Sequence, residues 1–330
     1  MCSETASETG RKNFVSVSTV SVVMSVFNGV ELLAATLDSV LAQEGVDLEF
    51  IVVNDGSTDG TREMLDSYAV GDKRLKVIHQ ENTGLTRALI RGCSDAKGEY
   101  IARQDNGDLS LPGRLSRQAG LLAGTPELVF VSSWTEYCGP LFEYISTRRG
   151  SGCAGSPCRI IDLSVDKLVI DGPTHHGSVM FRRCAYEQVG GYHHEFYVAQ
   201  DWDLWYRLAE TGSFMMIDAS LYRARLLPGS ISGERKPEQQ ALNRLSREAL
   251  RLRLAGDSDA GLLAAASRIL PSRRPERAAN RAGWCYFIGE GLRRNGDRRA
   301  RGYFRKALRE DPLSGKAWFR LLQSLFGGVR

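Results

Sequence analysis

The chain is short of the features that usually settle a function early. Its 330 residues contain no apolar run near the about 18 needed to cross a bilayer, so no transmembrane helix is expected. Residues Met1 to Lys12 are polar and lack the apolar core of a secretory leader, so no signal peptide is expected. The seven cysteines are an odd number and scattered, and only Cys153 and Cys158 are near neighbours. No His or Cys pair beside them completes a zinc set. Free thiols in a reducing compartment follow as the expectation, and with them a cytoplasmic location. No G-x-x-x-x-G-K-[ST] run is present, and no G-x-G-x-x-G follows the first apolar strand. A P-loop nucleotide hydrolase and a nicotinamide dehydrogenase are therefore both disfavoured.

What is present is an ordinary soluble composition, 42% hydrophobic and 25% charged, in a chain long enough for two domains. The net charge of +4 hides an asymmetry. Arg235 to Arg330 carries 22 Lys and Arg against 9 Asp and Glu, whereas the remainder carries 21 against 30. A basic C-terminal module beside an acidic body suggests contact with something anionic, an acidic protein partner or the inner membrane face. No nucleic-acid partner is expected.

Strand and helix patterns alternate from the start. The β-branched run Thr19 to Phe27 ends at Asn28-Gly29, a turn signal, and Glu31 to Gln43 has helical apolar spacing. Leu48 to Val53 reads as a strand, Asn54 to Gly60 as a loop and Thr61 to Tyr68 as a helix. Leu75 to His79 then leads through Glu81-Asn82-Thr83-Gly84 into a helix from Leu85 to Cys93. Such alternation predicts an α/β fold with a mostly parallel sheet flanked by helices. It also places Asn28, Asp55 and Asp105 just past strand C-termini, on one sheet edge, where open α/β sheets bind ligands.

The chain centres on Glu99 to Asp108, an apolar strand that ends in a Gly-containing loop with two carboxylates, Asp105 and Asp108. Two acids there suit a hard divalent cation, Mg²⁺ or Mn²⁺, bridging to phosphate oxygens. A helix from Pro112 to Leu122 and an apolar strand from Leu128 to Trp134 follow. Phe142 to Gly172 has no clear pattern, and its Gly/Ser/Cys-rich part, Arg148 to Cys158, reads as a surface loop. Next, a loop with His175 and His176 precedes a short strand, and Gln200-Asp201-Trp202-Asp203 opens a helix. Asp201 suits either an N-cap or, if it faces the crevice, a general base.

Five segments occur in order: Met24 to Asn28, Val53 to Gly60, the Asp105 loop with Leu111-Pro112-x-Arg114-Leu115, His176 to Arg182, and Gln200 to Leu204. Together they resemble a family 2 glycosyltransferase of the GT-A fold, over roughly Ser18 to Ser232. The resemblance implies an inverting transfer from a nucleotide-sugar donor, a UDP- or dTDP-sugar, to a hydroxyl acceptor in polysaccharide, glycolipid or glycoprotein glycan synthesis. It implies donor contacts from Ser25, Phe27, Asn28, Asp55, Gly84, Asp105 and Arg225, with Phe27 and Asp55 at the base. Asp105 and Asp108 would hold the metal, and Asp201 would be the catalytic base. Three departures stand out. Gly107 occupies the second position of the usual Asp-x-Asp, Arg225 stands where a His is common, and Leu89-Ile90 replaces an Arg and an Asn on the helix after Gly84. They keep open a degenerate fold acting as a binding or scaffold module. A sugar nucleotidyltransferase is disfavoured because Ser25 to Gly29 lacks the Gly-rich basic loop such enzymes carry.

From Pro237 the chain turns helical and Arg-rich. Trp284, Phe287, Ala300, Phe304, Ala307 and Pro312 fit tetratricopeptide spacing, and Trp318 falls 34 positions after Trp284, against a repeat of about 34 residues. The domain reading is a tail over 1–13, a GT-A domain over 14–235 and a helical tetratricopeptide-like module over 236–330. One repeat and a half cannot stand alone, so packing on the catalytic domain or the preceding helices is expected.

Overall fold

The computed structural model describes residues 19–150, 172–227, 236–271 and 278–326. The expected tail, the Cys153–Cys158 pair and most of the Gly/Ser/Cys-rich loop lie outside them.

Strands β1 (Thr19–Val26), β2 (Asp47–Asp55), β3 (Leu75–Gln80) and β4 (Tyr100–Arg103) form a parallel block in the order 3-2-1-4. The connections are α1 (Val30–Leu41), α2 (Thr61–Gly71) and α3 (Leu85–Ser94). β1 is buried on both faces, which is why its sequence runs almost continuously apolar. Alternate residues serve alternate faces. Val22 and Met24 join a core with Leu33 and Leu37 of α1, and with Leu115 and Leu122 of α4 (Arg114–Gly124). Val23, Ile51 and Ile101 face the opposite core with Leu89 of α3 and Leu204, Trp205 and Leu208 of α6 (Gln200–Thr211).

Beyond β4 the sheet becomes mixed. β8 (Met180–Arg182) runs antiparallel to β4 and to β6 (Leu128–Cys138), β6 runs parallel to β9 (Ser213–Arg225), and β7 (Tyr144–Arg148) pairs antiparallel with β6. The two-residue β5 (Leu109–Ser110) pairs antiparallel with β9, matching Ser110 to Tyr222. The acidic loop between β4 and β5 is thereby pinned at both ends, with the end of β9 beside it. The antiparallel pairs made by β8 and β5 are what interrupt the parallel order.

The C-terminal helices are α7 (Lys236–Ala255), α8 (Ala260–Ala266), α9 (Ala278–Arg294), α10 (Ala300–Glu310) and α11 (Gly315–Phe326). α7 lies along α6, placing Leu250 in the second core and Leu242 against Phe196 and Val198. The last three share a core with Ile145 of β7. Tyr303 donates its hydroxyl to Glu143 (2.8 Å), and the Asn295 amide donates to the carbonyl of Ile145 (2.7 Å). These helices therefore rest on the sheet through β7.

Arg114, at the start of α4, is fully buried. Its guanidinium donates to Gln104 Oε1 (3.1 Å), Ser110 Oγ (2.8 Å), Gln118 Oε1 (3.2 Å) and the Arg103 carbonyl (2.7 Å). It also lies 4.9 Å from the centre of the Tyr222 ring. One side chain thus ties β4, β5, α4 and β9 together. Lysine has three donors and no planar fork, so Arg114→Lys leaves buried acceptors unmet. We expect it to cost about 3 kcal/mol in denaturant unfolding, with the slope of the transition unchanged.

Candidate functional site

The C-terminal ends of β1 and β4 open into a cavity of about 700 Å³. Its wall brings together Ser25, Phe27, Asn28, Asp105, Asp108, His175, Asp201 and Arg225, and α7 adds Gln239. Phe27 is 53% exposed at the rim, an unusual position for a large apolar ring. Asn28 follows it in the left-handed region (φ 49°), which Asn tolerates better than most residues. Its Oδ1 accepts from the Thr58 N–H (2.7 Å), and its own N–H donates to Ser57 Oγ (2.9 Å). The loop after β2 is thereby stitched to the end of β1.

Asp55 does not join this wall. It is 2% exposed, and both carboxylate oxygens are engaged. Oδ1 accepts from Gln80 Nε2 (2.8 Å) and the Thr83 N–H (2.9 Å), and Oδ2 accepts from the Gly84 N–H (2.9 Å). Gly84, at φ +89°, reaches that bond through a backbone conformation that L side chains rarely adopt. Of the three post-strand residues expected on one crevice, Asn28 and Asp105 line it, while Asp55 anchors the turn that starts α3.

Asp105 is held by a buried cation. Arg103, fully buried at the end of β4, donates Nη2–H to Asp105 Oδ1 (2.7 Å). It also donates to the carbonyls of Val23 and Gln104. His176 Nε2 accepts from Arg103 Nε (3.3 Å) and from the Tyr192 hydroxyl (2.7 Å). Burial, reinforced by the Arg103 charge, pushes the His176 ring down to about 3. It is a neutral acceptor that positions Arg103. Burial alone would raise the Asp105 carboxyl, but the Arg103 charge leads the opposing effects and the net shift is downward.

Asp108 is the opposite case. Burial first, and the neighbouring Asp105 second, push its carboxyl well above the usual range. Its Oδ1 accepts from the Arg225 N–H (2.8 Å) and its Oδ2 from the Tyr222 hydroxyl (3.0 Å). His175 stacks on Tyr222, and its Nδ1 lies 3.8 Å from both Asp105 Oδ2 and Asp108 Oδ2. One ligand atom from each of Asp105, Asp108 and His175 falls within 4.8 Å of the others. Two carboxylates beside an imidazole suit a divalent cation. The donor set therefore fits a divalent cation, with Nδ1 exchanging the bond it now accepts from the Gly177 N–H (3.1 Å). Gly107, at φ +95°, makes the turn that brings Asp108 back beside Asp105 despite the irregular spacing.

Asp201 comes from a remote segment. The N-cap of α6 is Ala199, left-handed at φ 60°, so Asp201 lies inside the first turn and is not the cap. Its Oδ1 accepts the Trp202 N–H (2.9 Å). Burial, with a smaller contribution from Asp105, pushes its carboxyl up to about 6. The helix is fixed by Asp203, which accepts from Arg207 and lies 3.1 Å from His193 Nδ1. Arg225 places its guanidinium 3.8 Å from the centre of the Phe142 ring, and its buried Nε–H has no acceptor. Sequence reasoning missed Arg103, Tyr222 and the ligand position of His175. The one signal for Arg103 was a charged residue in an otherwise apolar strand, two places before Asp105.

A family model described as Glycosyl transferase family 2 matches residues 21–190. The chain is 33% identical over 221 residues to the putative glycosyltransferase EpsE of Bacillus subtilis, covering 62% of this chain and 72% of that protein. Among solved structures it is similar to residues 1–349 of S. aureus TarS, with a TM-score of 0.54 and 15% identity over 93% of this chain and 88% of that one. It is also similar to the mannosyltransferase PcManGT of Pyrobaculum calidifontis, solved with GDP-Man and Mn²⁺. There the TM-score is 0.54 and identity 17% over 94% of this chain and 85% of that one.

Manganese titration followed by electron paramagnetic resonance tests the cation site. One bound ion is expected in the wild type and none in Asp105→Ala. His175→Ala should weaken it at least as much as loss of an outer-shell partner does, about tenfold.

Proposed function

Because the chain belongs to glycosyl transferase family 2, we propose that it transfers a sugar, with inversion, from a UDP- or dTDP-sugar to a hydroxyl of a glycan or lipid-linked acceptor. The observation that carries the mechanism is Asp201, a carboxylate with no cationic partner in its hydrogen bonds, lining the same cavity as Asp105 and Asp108. A non-catalytic version of the fold has no use for a third, desolvated carboxylate there.

Phe27, exposed at the rim, offers its face to the nucleobase, and the Asp55-held Gly84 turn stands behind it as a positioning element. Ser25, Asn28 and Asp105 border the path of the ribose and diphosphate. Arg225 lines the same cavity, and a guanidinium there can pair bidentately with phosphate oxygens. Asp105, Asp108 and His175 would hold a divalent cation, whose chemistry when bound is to offset negative charge on the departing diphosphate. PcManGT, solved with GDP-Man and Mn²⁺, supports a nucleotide-sugar donor and a divalent cation.

Asp201 Oδ takes the proton from the acceptor hydroxyl. The acceptor oxygen bonds to the anomeric carbon while the bond from that carbon to the β-phosphate oxygen breaks, and the electron pair leaves with the nucleoside diphosphate. Single displacement inverts the centre, because base and leaving group work from opposite faces. A carboxyl raised to about 6 is a stronger base than an ordinary aspartate yet still ionised at neutral pH. The products this reading points to are polysaccharides, glycolipids or glycoprotein glycans.

Asp201→Asn should lower turnover by about 10²- to 10⁴-fold while donor binding, measured calorimetrically, is retained. Unchanged turnover would remove Asp201 from the mechanism. In the wild type, kcat/KM should fall with unit slope as pH drops through about 6, the protonation range of Asp201. The linkage sign is also testable. A carboxyl whose folded-state pKa is raised makes stability decline as pH rises from the ordinary aspartate range through about 6, and the full penalty persists above that. Thermal unfolding should therefore show Asp201→Asn more stable than wild type at pH 8, with the gap closing toward pH 4.

A further inference from the structure

The outer side of α11 carries apolar side chains that the catalytic reading does not use. Its inner side, Ala317, Leu321 and Ser324, is buried, the first two in the core shared with α9 and α10. Trp318, Phe319, Leu322 and Leu325 are exposed, Phe319 at 62%. Their spacing of one, four and seven puts them on one stripe of the helix. The stripe continues across the preceding turn. The Trp318 indole N–H donates to the Pro312 carbonyl (3.0 Å), which fixes the ring beside Leu313, itself 93% exposed. α11 is thus apolar around more than half its circumference, and only the inner part of that arc is covered.

The charge around the stripe has one sign. From residue 298 to residue 325 the exposed charged side chains are all basic, and they include Arg305, Lys306 and Arg309 on α10 and Lys316 on α11. The two acids in that span, Glu310 and Asp311, are half-buried, and Glu310 accepts from Arg281 (2.9 Å). α11 itself contains no acid. A second copy of the chain meeting this face across a two-fold axis would set these basic side chains against one another, so self-association is disfavoured. An apolar Trp/Phe/Leu stripe bordered by Lys and Arg is the pattern of helices that lie in the interface of an anionic bilayer. No helix among the described residues is long and apolar enough to cross one.

We propose that the outer face of α11, with the basic side chains of α10, docks on an anionic lipid surface. Trp318 and Phe319 sit at headgroup depth, Leu322 and Leu325 enter the acyl boundary, and Arg305, Lys306, Arg309 and Lys316 meet the lipid phosphates. The proposal needs no step of the transfer reaction, and its failure leaves the reading of the cleft intact.

Co-sedimentation of the full chain with vesicles of phosphatidylcholine, alone or mixed with phosphatidylglycerol, provides the test. Binding is expected to the mixed vesicles and to weaken when salt is raised. Trp318→Ser/Leu322→Ser and Arg305→Gln/Lys306→Gln/Arg309→Gln should each reduce it about tenfold or more. Circular dichroism melting checks that each variant folds, and the pair Phe319→Ser/Leu325→Ser on the same stripe replaces the first variant if it does not. Absence of binding to the mixed vesicles overturns the proposal. So does equal binding to neutral vesicles, or binding that survives all these variants. A concentration-dependent dimer in sedimentation velocity that the serine variants abolish, with no vesicle binding, would assign the face to self-association instead.

Discussion

The buried pair of Arg103 and Asp105 is the interaction on which the rest of the cleft depends. A guanidinium with no exposed surface must find compensation, and Arg103 finds it in one carboxylate, two carbonyls and a neutral imidazole. Desolvating a charge is costly unless it is paired and fully hydrogen-bonded. That cost makes the geometry unforgiving. If Asp105 moved, Arg103 would be left buried and underpaired, so the loop is fixed by the energetics of its neighbour. Tyr222 extends the constraint, accepting the Asp105 N–H and donating to Asp108, while Arg114 stacks on the same ring. The cavity-lining edge of the sheet is rigid because its charges cannot be satisfied in a second arrangement.

This rigidity leaves selected groups unsatisfied. Asp108 and Asp201 are both pushed up by burial, which the nearby arginine charges only partly offset, and the Arg225 Nε–H has no acceptor among the described residues. In a core such groups would be defects, whereas around a cavity they mark where a ligand supplies what the chain withholds. Asp55 shows the contrast. It is 2% exposed, and four protein donors meet it and build the Gly84 turn.

The helical module divides its contacts between the two sides of the fold. α7 braces α6, the helix that carries Asp201, through Leu250 and the Arg253–Glu210 pair at 2.7 Å, and it sends Gln239 into the cavity wall. The last three helices rest on β7 through Ile145, Glu143 and Asn295. Trp318, 34 positions after Trp284, is exposed, and among the described residues no following helix covers it.

By itself the sequence determined the local grammar: the β-branched strands, the loops that end them, the order of acidic segments and the helical, basic C-terminus. These are legible because period-two and 3.6-residue apolar patterns and Asn/Asp/Gly turns act over a few residues. It also determined the family, since five short motifs in order constrain far more than any one of them. Only tertiary structure decided which carboxylates face the cavity. Asp55 and Asp105 have the same sequence setting, an acid after a strand followed by a glycine-containing loop, yet one is held by the side chains of Gln80 and Thr83 and two backbone N–H groups, and the other is presented by a buried arginine. Only tertiary structure could join β5 to β9, carry Tyr222 and Arg225 to Asp108, and bring Asp201 across 96 residues of chain to the same cavity as Asp105. Burial and charge compensation depend on what surrounds a group in space, and no local pattern of residues records that.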